Sequence, residues 1–226
     1  SQVFFSRRIG LTSPMLFGAR LSGQIGNGFR IGLLNALTTH KSDPEYDDVP
    51  SFNYSVATFQ KQVFGRSNIS GIFAMKQSVN FDRDQENGYD FGEQYKYNRV
   101  YGLQYNLLSR EDKWNGSIYY YNSDDPEHDS RHWAHGANII YTTRKLFVYW
   151  NHEYIGENFV AEMGYFPRTG YISFGPFLRY NFIPQSKTVS THGPSFRSRF
   201  YLDPGWEFTD KEMTFEYGIN FLNTSR

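Results

Sequence analysis

Residues 15–38 carry a hairpin pattern in which apolar and polar side chains alternate almost without interruption. In the first half the odd positions are apolar and the even ones small or polar: Met15, Phe17, Ala19, Leu21 and Ile25 against Gly18, Arg20, Ser22 and Gln24. Successive side chains of a strand point to opposite faces, so this half has one apolar and one polar face. Gly26-Asn27-Gly28 then supplies residues that accept the positive φ of a tight turn. Residues 29–38 repeat the alternation on a return strand.

The length of each half restricts the kind of sheet that this hairpin can join. About ten residues is what a tilted strand needs to cross a hydrocarbon layer of about 30 Å. A strand of a soluble protein is commonly only about five or six residues long. The hairpin therefore predicts two strands of a transmembrane β-barrel, with the apolar face toward lipid and the polar face inward. We expect Phe17, Leu33, Leu103 and Phe215 to share the lipid-facing wall.

The same pattern recurs along the chain, and short turns alternate with long polar loops. The predicted strands are residues 3–9, 15–25, 29–38, 52–60, 67–77, 95–108, 114–122, 132–141, 145–154, 171–182, 188–202 and 211–222, with a disturbance near Gly193-Pro194. Short turns at one end and long loops at the other are typical of outer-membrane barrels. A soluble all-β module is the alternative, although its strands are usually shorter. The prediction is one all-β domain over residues 1–226, an antiparallel transmembrane β-barrel with about twelve strands visible.

Composition narrows the possible functions further. Cysteine is absent, which removes disulfides, thiolate zinc sites and thiol nucleophiles together. The formal net charge is zero, so no electrostatic attraction to nucleic acid is expected. Aromatic residues make up 19% of the chain, as expected where aromatic belts mark both membrane interfaces. The first residues lack the basic start and apolar stretch of a signal peptide, so we expect the chain to be processed or a fragment of a longer protein with a larger barrel.

Several short segments resemble one family of bacterial proteins. They are Phe4-Phe5-Ser6-Arg7-Arg8-Ile9-Gly10, Phe17-Gly18-Ala19-Arg20-Leu21-Ser22-Gly23, Gly32-Leu33-Leu34-Asn35, Val63-Phe64-Gly65-Arg66-Ser67, Asn98-Arg99-Val100-Tyr101-Gly102, Gly156-Glu157-Asn158-Phe159 and Gly164-Tyr165-Phe166-Pro167-Arg168. In this order they are similar to outer-membrane proteins of unknown function, common in Bacteroidetes-type Gram-negative bacteria. In that family a family-9 carbohydrate-binding-like domain precedes a C-terminal barrel. The resemblance implies location and architecture and carries over no catalytic residue.

These observations favour a function without chemistry of its own. We expect an envelope channel, or a barrel subunit of a larger assembly, in the bacterial outer membrane. The expected partners are membrane lipid and lipopolysaccharide, with other outer-membrane proteins or glycans as further possibilities. Neither Gly-x-Ser-x-Gly nor His-Glu-x-x-His occurs in the chain. The alternative is a carbohydrate-binding or carbohydrate-processing protein whose sugar-binding domain lies upstream of this segment.

Charged residues at predicted inward positions are the first candidate site. They are Arg20, Arg30, Arg179, Arg197, Arg199, Glu212 and Glu216. One interpretation is a lumen whose fixed charges filter or bind a solute. The other, which we favour from the sequence, is a wall of mutually neutralising cross-strand pairs that fills the bore.

The connection over residues 155–170 is the second candidate, either a constriction folded into the lumen or an ordinary outer loop. Its candidate residues are Glu157, Asn158, Phe159 and Arg168. A third candidate is an aromatic platform for sugars around Tyr119, Tyr120 and Tyr121, although such residues more often mark the membrane interface. Alternation sends Tyr120 to one face and its two neighbours to the other.

An acidic loop after residue 80 suggests calcium. Asp82, Asp84 and Glu86 occupy alternate positions, as in the start of an EF-hand loop. The glycine of that motif is one place out of position and no flanking helices are predicted. A solvated loop is therefore the preferred interpretation, and no other metal or cofactor is expected.

Overall fold

A single antiparallel sheet of twelve strands makes up most of the protein. The computed structural model describes residues 2–11, 13–42, 48–79, 81–87 and 91–222. The strands are β1 Met15–Ile25, β2 Phe29–Thr38, β3 Phe52–Val63, β4 Ser67–Ser78, β5 Tyr97–Leu108, β6 Trp114–Asp124, β7 Trp133–Thr142, β8 Leu146–Ile155, β9 Tyr171–Phe174, β10 Phe177–Tyr180, β11 Val189–Leu202 and β12 Phe208–Phe221. One short helix, α1 (Phe81–Glu86), lies between β4 and β5. The predicted all-β, antiparallel class is confirmed.

The strands follow one another in chain order, with one interruption. β1 to β8 pair consecutively, and β9 and β10 share one place between β8 and β11. Gly175 and Pro176 separate the two short strands, and a proline cannot donate the hydrogen bond that a continuous strand needs there. The backbone still contacts both neighbours, because Gly175 N donates to Asn151 O at 2.7 Å and Ser198 N donates to Pro176 O at 3.0 Å. The prediction of one strand over residues 171–182 is therefore wrong.

Residues 3–9 are not a strand, which corrects a second prediction. Gln2 forms an isolated bridge with Tyr165, and Ser6–Arg8 is a single 3₁₀ turn. Phe5 N in this segment donates a hydrogen bond to Met163 O at 2.6 Å. The segment therefore bonds to a loop and not to a neighbouring strand. The count of twelve strands matches the prediction only because one predicted strand is lost and another is split in two.

The irregularities in the pairing of β11 do not lie near Gly193-Pro194, where the sequence predicts a disturbance. Gly193 and Pro194 pair regularly with Gly218 and Tyr217 of β12. The irregularities lie at the two ends of the strand, between Val189 and Thr191 and between Tyr201 and Leu202. Pro194 is tolerated inside the strand because no regular ladder hydrogen bond to β10 reaches it: the β10–β11 pairing covers only residues 195–197 of β11.

The register assigns every side chain to one of two faces. Directly paired residues lie on the same face, so Leu21 shares its face with Leu33, Leu33 with Ala57, and Ala57 with Phe73. We call this face, followed across the whole sheet, the outer face. It carries Phe17, Leu33, Leu103 and Phe215, all between 47% and 73% exposed. The prediction that these four side chains share one exposed face is confirmed.

The opposite face, which we call the inner face, is polar near the short turns and apolar near the long loops. Two buried clusters occupy its loop end, one around Val100, Ile155 and Phe159 and the other around Phe52, Tyr54 and Met163. Phe159 and Met163 come from the connection between β8 and β9, and Val3 joins the first cluster from the N-terminal segment. The core is therefore built between the sheet and residues 2–9 and 156–170, which cover its inner face.

Candidate functional site

A cavity of about 660 Å³ lies on the polar part of the inner face. Arg20 of β1 and Glu153 of β8 both line it, with Val3 and Phe166 at one side. In a flat sheet, β1 and β8 would lie seven strand spacings apart, about 34 Å. Side chains from strands that are far apart in the sheet order therefore meet at one cavity.

A hydrogen-bonded cluster forms one wall of this cavity. Tyr119 Oη donates to Glu153 Oε1 at 2.7 Å, and Tyr171 Oη donates to Glu153 Oε2. Tyr121 Oη donates to Gln104 Oε1 at 3.0 Å. The two hydroxyl groups hold the carboxylate of Glu153 in one place on the inner face. Glu153 was not predicted from the sequence; its signal there is an acidic residue at an inward position of an aromatic strand.

The tyrosine triplet divides between the faces as alternation predicts. Tyr119 and Tyr121 stack on the inner face with ring centroids 5.1 Å apart, and Tyr120 is 52% exposed on the outer face. Gly136 pairs with Tyr119, and a Cβ at this glycine would lie 2.8 Å from the tyrosine Cζ. The missing side chain gives the ring of Tyr119 the space that it occupies over β7.

Two predicted lumen charges border the cavity on its other side. Arg20 and Arg30 lie on the inner face of β1 and β2, where Gln24 pairs with Arg30. Neither guanidinium makes a hydrogen bond or ion pair with any residue in the described part of the chain. Their positive charges are therefore available to a solute in the cavity, opposite the carboxylate of Glu153.

The remaining predicted charges lie on the inner face of β10, β11 and β12. Arg199 pairs with Glu212 in register, and their Nη1 and Oε2 atoms are 3.9 Å apart. Glu216 lies opposite Ser195 and not opposite an arginine. Arg197 and Arg179 contact aromatic rings instead of carboxylates: Arg197 Cζ is 5.0 Å from the Phe177 ring centroid and Arg179 Cζ is 5.5 Å from that of Phe147. Of the seven predicted charges, only Arg199 and Glu212 form an ion pair among the residues described.

The connection over residues 156–170 folds onto the inner face. Phe159 is 2% exposed in the first apolar cluster. Glu157 Oε2 accepts from Arg131 Nη1 at 2.6 Å, and Asn158 Nδ2 donates to Ser130 O at 2.9 Å. The neighbouring carboxylate of Glu157 raises the pKa of the Arg131 guanidinium. Glu157 and Asn158 thus tie this connection to the one between β6 and β7.

Arg168, the fourth residue of this predicted constriction, is exposed. Its Cζ lies 5.5 Å from the ring centroid of Tyr171 and 5.8 Å from that of Tyr201. The guanidinium therefore sits where the connection rejoins the sheet at β9.

Three further inner-face residues, not predicted from the sequence, hold this connection in place. Asn98 Nδ2 donates to Val160 O at 3.0 Å, and Asn98 Oδ1 accepts from Glu162 N at 3.1 Å. Ser123 Oγ accepts from Val160 N at 3.1 Å. Lys76 Nζ pairs with the Glu162 carboxylate. Asn98 and Ser123 are almost fully buried, so their polar groups replace water for the backbone of the loop. Their only sequence signal was a polar residue at an inward position near a strand end.

The acidic segment suggested for calcium does not form a loop site. Asp82, Asp84 and Glu86 lie in α1, where residues two apart point in nearly opposite directions. Asp82 Oδ1 is 3.7 Å from Lys96 Nζ. Residues 88–90 of the suggested loop lie outside the described residues. Within the ranges that the structure does describe, no group of three or more His, Cys, Asp or Glu side chains is placed to hold a metal ion.

Comparisons with known proteins give no match. No protein-family model, no curated protein and no solved structure matches the chain. Among the described residues, no helix is long and apolar enough to cross a membrane.

Proposed function

We propose that this chain is the wall of a bacterial outer-membrane β-barrel, an envelope channel or a barrel subunit of a larger assembly. Its outer face contacts membrane lipid and lipopolysaccharide, and its inner face lines an aqueous lumen. The resemblance to Bacteroidetes-type barrel proteins of unknown function supports the location. The protein contributes a passage or a docking surface and no reaction of its own.

The segregation of the two faces carries this proposal. Large apolar side chains of successive strands are exposed together on the outer face, among them Leu21, Leu33, Leu103, Phe196 and Phe215. Soluble monomeric proteins rarely expose a contiguous apolar patch of more than a few hundred Å². A soluble all-β module would need to cover this face, whereas lipid tails cover it without further structure.

The sheet edges support a barrel with further strands. β1 and β12 are exposed along almost their entire lengths, and within the described ranges neither pairs with the other. Each unpaired backbone group costs several kcal/mol in hydrocarbon, so a spanning sheet requires a partner at both edges. We propose that additional strands complete the wall, in a barrel larger than the twelve strands described.

Residues 156–170, together with the N-terminal segment, narrow the proposed lumen at its loop end. Phe159 and Met163 fill the inner face there, while the cavity beside Arg20, Arg30 and Glu153 remains open. A solute moving through the lumen would therefore meet fixed charges of both signs beside a constriction. This arrangement suits a selective channel better than a wide, unfilled pore.

Reconstitution tests the proposal. The protein is folded into detergent and then into liposomes, and its electrophoretic migration is compared with and without heating. Heat-modifiable migration with stable insertion supports a membrane barrel. Single-channel currents in planar bilayers then identify a channel, whereas an inserted but silent protein indicates a barrel subunit. A protein that is folded and monomeric in detergent-free buffer and does not enter liposomes would refute the proposal.

A carbohydrate-binding outer-membrane protein is the second candidate. The stacked rings of Tyr119 and Tyr121, beside the hydroxyl and amide groups of the first cavity, favour it. Aromatic rings supply flat apolar surface, and Gln104 supplies hydrogen-bonding groups for hydroxyls. Glycan binding by this chain alone, measured by calorimetry with purified protein, would support this function.

A further inference from the structure

A second cavity on the inner face lies beside the break between β9 and β10. Its volume is about 440 Å³, and it shares no lining residue with the first cavity. We call it the arginine cleft; its lining includes Phe147, Tyr149, Phe177, Arg197, Arg199 and Tyr201. Positive charge and aromatic surface therefore meet in one concave site.

Aromatic rings position the guanidinium groups in and around this cleft. Arg197 lies over Phe177, Arg179 over Phe147, and Arg168 over Tyr171 and Tyr201. Stacking on a ring occupies one flat side of a guanidinium and leaves its N–H edge able to bind a carboxylate in bidentate geometry. These three arginines form no hydrogen bond or ion pair with residues of the described ranges.

Uncharged polar groups in the cleft also lack partners. The side chains of Asn151 and Ser173 line the cavity, and the hydroxyl group of Tyr149 belongs to the same wall. None of these three side chains makes a hydrogen bond within the portion of the chain that the structure describes. Donors and acceptors for hydroxyl groups are thus present beside the guanidinium groups.

The arginines form a row along the direction of the strands. Arg197 and Arg199 are two residues apart on one face of β11, about 6.7 Å, and Arg179 pairs with Ser195, one further two-residue step along but on the neighbouring strand β10, about 8 Å from Arg197. Arg168 extends the row to Tyr201, one step further. A small anion with one carboxylate group could contact only one of these steps. A ligand with repeated carboxylates fits the whole row.

We propose that the arginine cleft binds acidic oligosaccharides, in which each sugar ring carries a carboxylate. Carboxylates engage the N–H edges of Arg197 and its neighbours, sugar rings pack on Tyr149, Phe177 and Tyr201, and hydroxyl groups bond to Asn151 and Ser173. The exposed, 3.9 Å pair of Arg199 and Glu212 is weak enough to exchange for a ligand carboxylate. This inference rests on the proposed function only in that the ligand enters through the lumen.

Calorimetry on the purified protein in detergent tests the inference. Trigalacturonate is titrated beside maltotriose, which has the rings without charge, and tricarballylate, which has the carboxylates without rings. We expect trigalacturonate to bind and the other two to bind at least tenfold more weakly. Arg197→Gln should weaken trigalacturonate binding by about 10- to 100-fold, as for loss of a charge-assisted hydrogen bond. Arg197→Lys should fall between this variant and the unmodified protein.

A matched arginine outside the cleft provides the control. Arg110, in the turn between β5 and β6, is exposed, so Arg110→Gln should leave trigalacturonate affinity within twofold. Phe177→Leu should weaken binding without changing net charge. Equal affinity for tricarballylate, or trigalacturonate binding that Arg197→Gln and Phe177→Leu leave unchanged, would overturn the inference.

Liposome insertion separates this inference from the proposed function. A protein that inserts into liposomes but does not bind trigalacturonate overturns the cleft assignment and leaves the barrel proposal standing. A protein that binds trigalacturonate in an Arg197-dependent manner but never inserts overturns the barrel proposal and leaves the cleft assignment standing.

Discussion

Gly164 controls whether the N-terminal segment can pack against the connection between β8 and β9. A Cβ at this position would lie 2.5 Å from Gln2 O and 2.6 Å from Val3 O. Both are backbone oxygens, which cannot turn away as a flexible side chain could. Gly164→Ala should therefore displace Gln2 and Val3 from this connection and loosen the segment over residues 2–9.

The contacts that hold the segment set the size of this effect. Gln2 N donates to Tyr165 O at 2.9 Å, Tyr165 N donates to Gln2 O at 2.7 Å, and Phe5 N donates to Met163 O at 2.6 Å. Each such bond contributes a net free energy of about 1 kcal/mol. Relief of the clash breaks the two bonds between Gln2 and Tyr165. The free energy of opening should fall by about 2 kcal/mol, which corresponds to about 30-fold faster amide exchange.

Hydrogen exchange measured by mass spectrometry on peptides covering residues 2–9 and 163–166 provides the assay. Gly23→Ala is the matched control, because a Cβ at Gly23 has no neighbour within 4 Å. Exchange should accelerate in the first variant and remain unchanged in the second. Equal protection of residues 2–9 in Gly164→Ala and in the unmodified protein would refute the reasoning.

Three further substitutions test the wall itself. Asn98→Ala leaves the half-buried Val160 carbonyl without its side-chain donor and should lower the free energy of unfolding by about 1–3 kcal/mol, measured by denaturant titration in detergent. Leu103→Arg, on the outer face, should make liposome insertion less favourable by about 2–4 kcal/mol, whereas Gln104→Arg, the adjacent inner-face position of the same strand, should insert normally. Equal insertion of these two variants would contradict the assignment of the faces. Gly136→Ala should destabilise by about 1–3 kcal/mol through clashes with the Tyr119 ring and with the backbone oxygen of His152; an unchanged unfolding midpoint would exclude these contacts.

Strand positions and the two faces followed from the sequence, because both depend on local periodicity. The hairpin over residues 15–38 was predicted with the strands and turn that the structure has. Apart from residues 3–9 and the split stretch at 171–182, predicted strand ends agree within three residues. Alternation needs only the chain neighbours of each residue, so no distant contact was required.

Only part of the candidate site could be predicted from the sequence. Inward orientation was predicted for Arg197 and for Glu212, and the register places both on the inner face. The sequence also led us to expect that inward arginine and glutamate side chains neutralise each other in cross-strand pairs. Whether they do depends on which side chains are in contact, and alternation does not determine this. Arg197 contacts Phe177 instead of a carboxylate, and that choice depends on the packing of β10 beside β11.

The sequence by itself determined which side chains of each strand share a face and where the short turns fall. Only the tertiary structure decided what covers the inner face. Asn98 and Glu162 are 64 residues apart in the chain, and Val3 and Phe159, also distant in the chain, belong to one buried cluster. Such contacts follow no period in the sequence, since they arise only when the folded sheet brings distant segments together over its inner face.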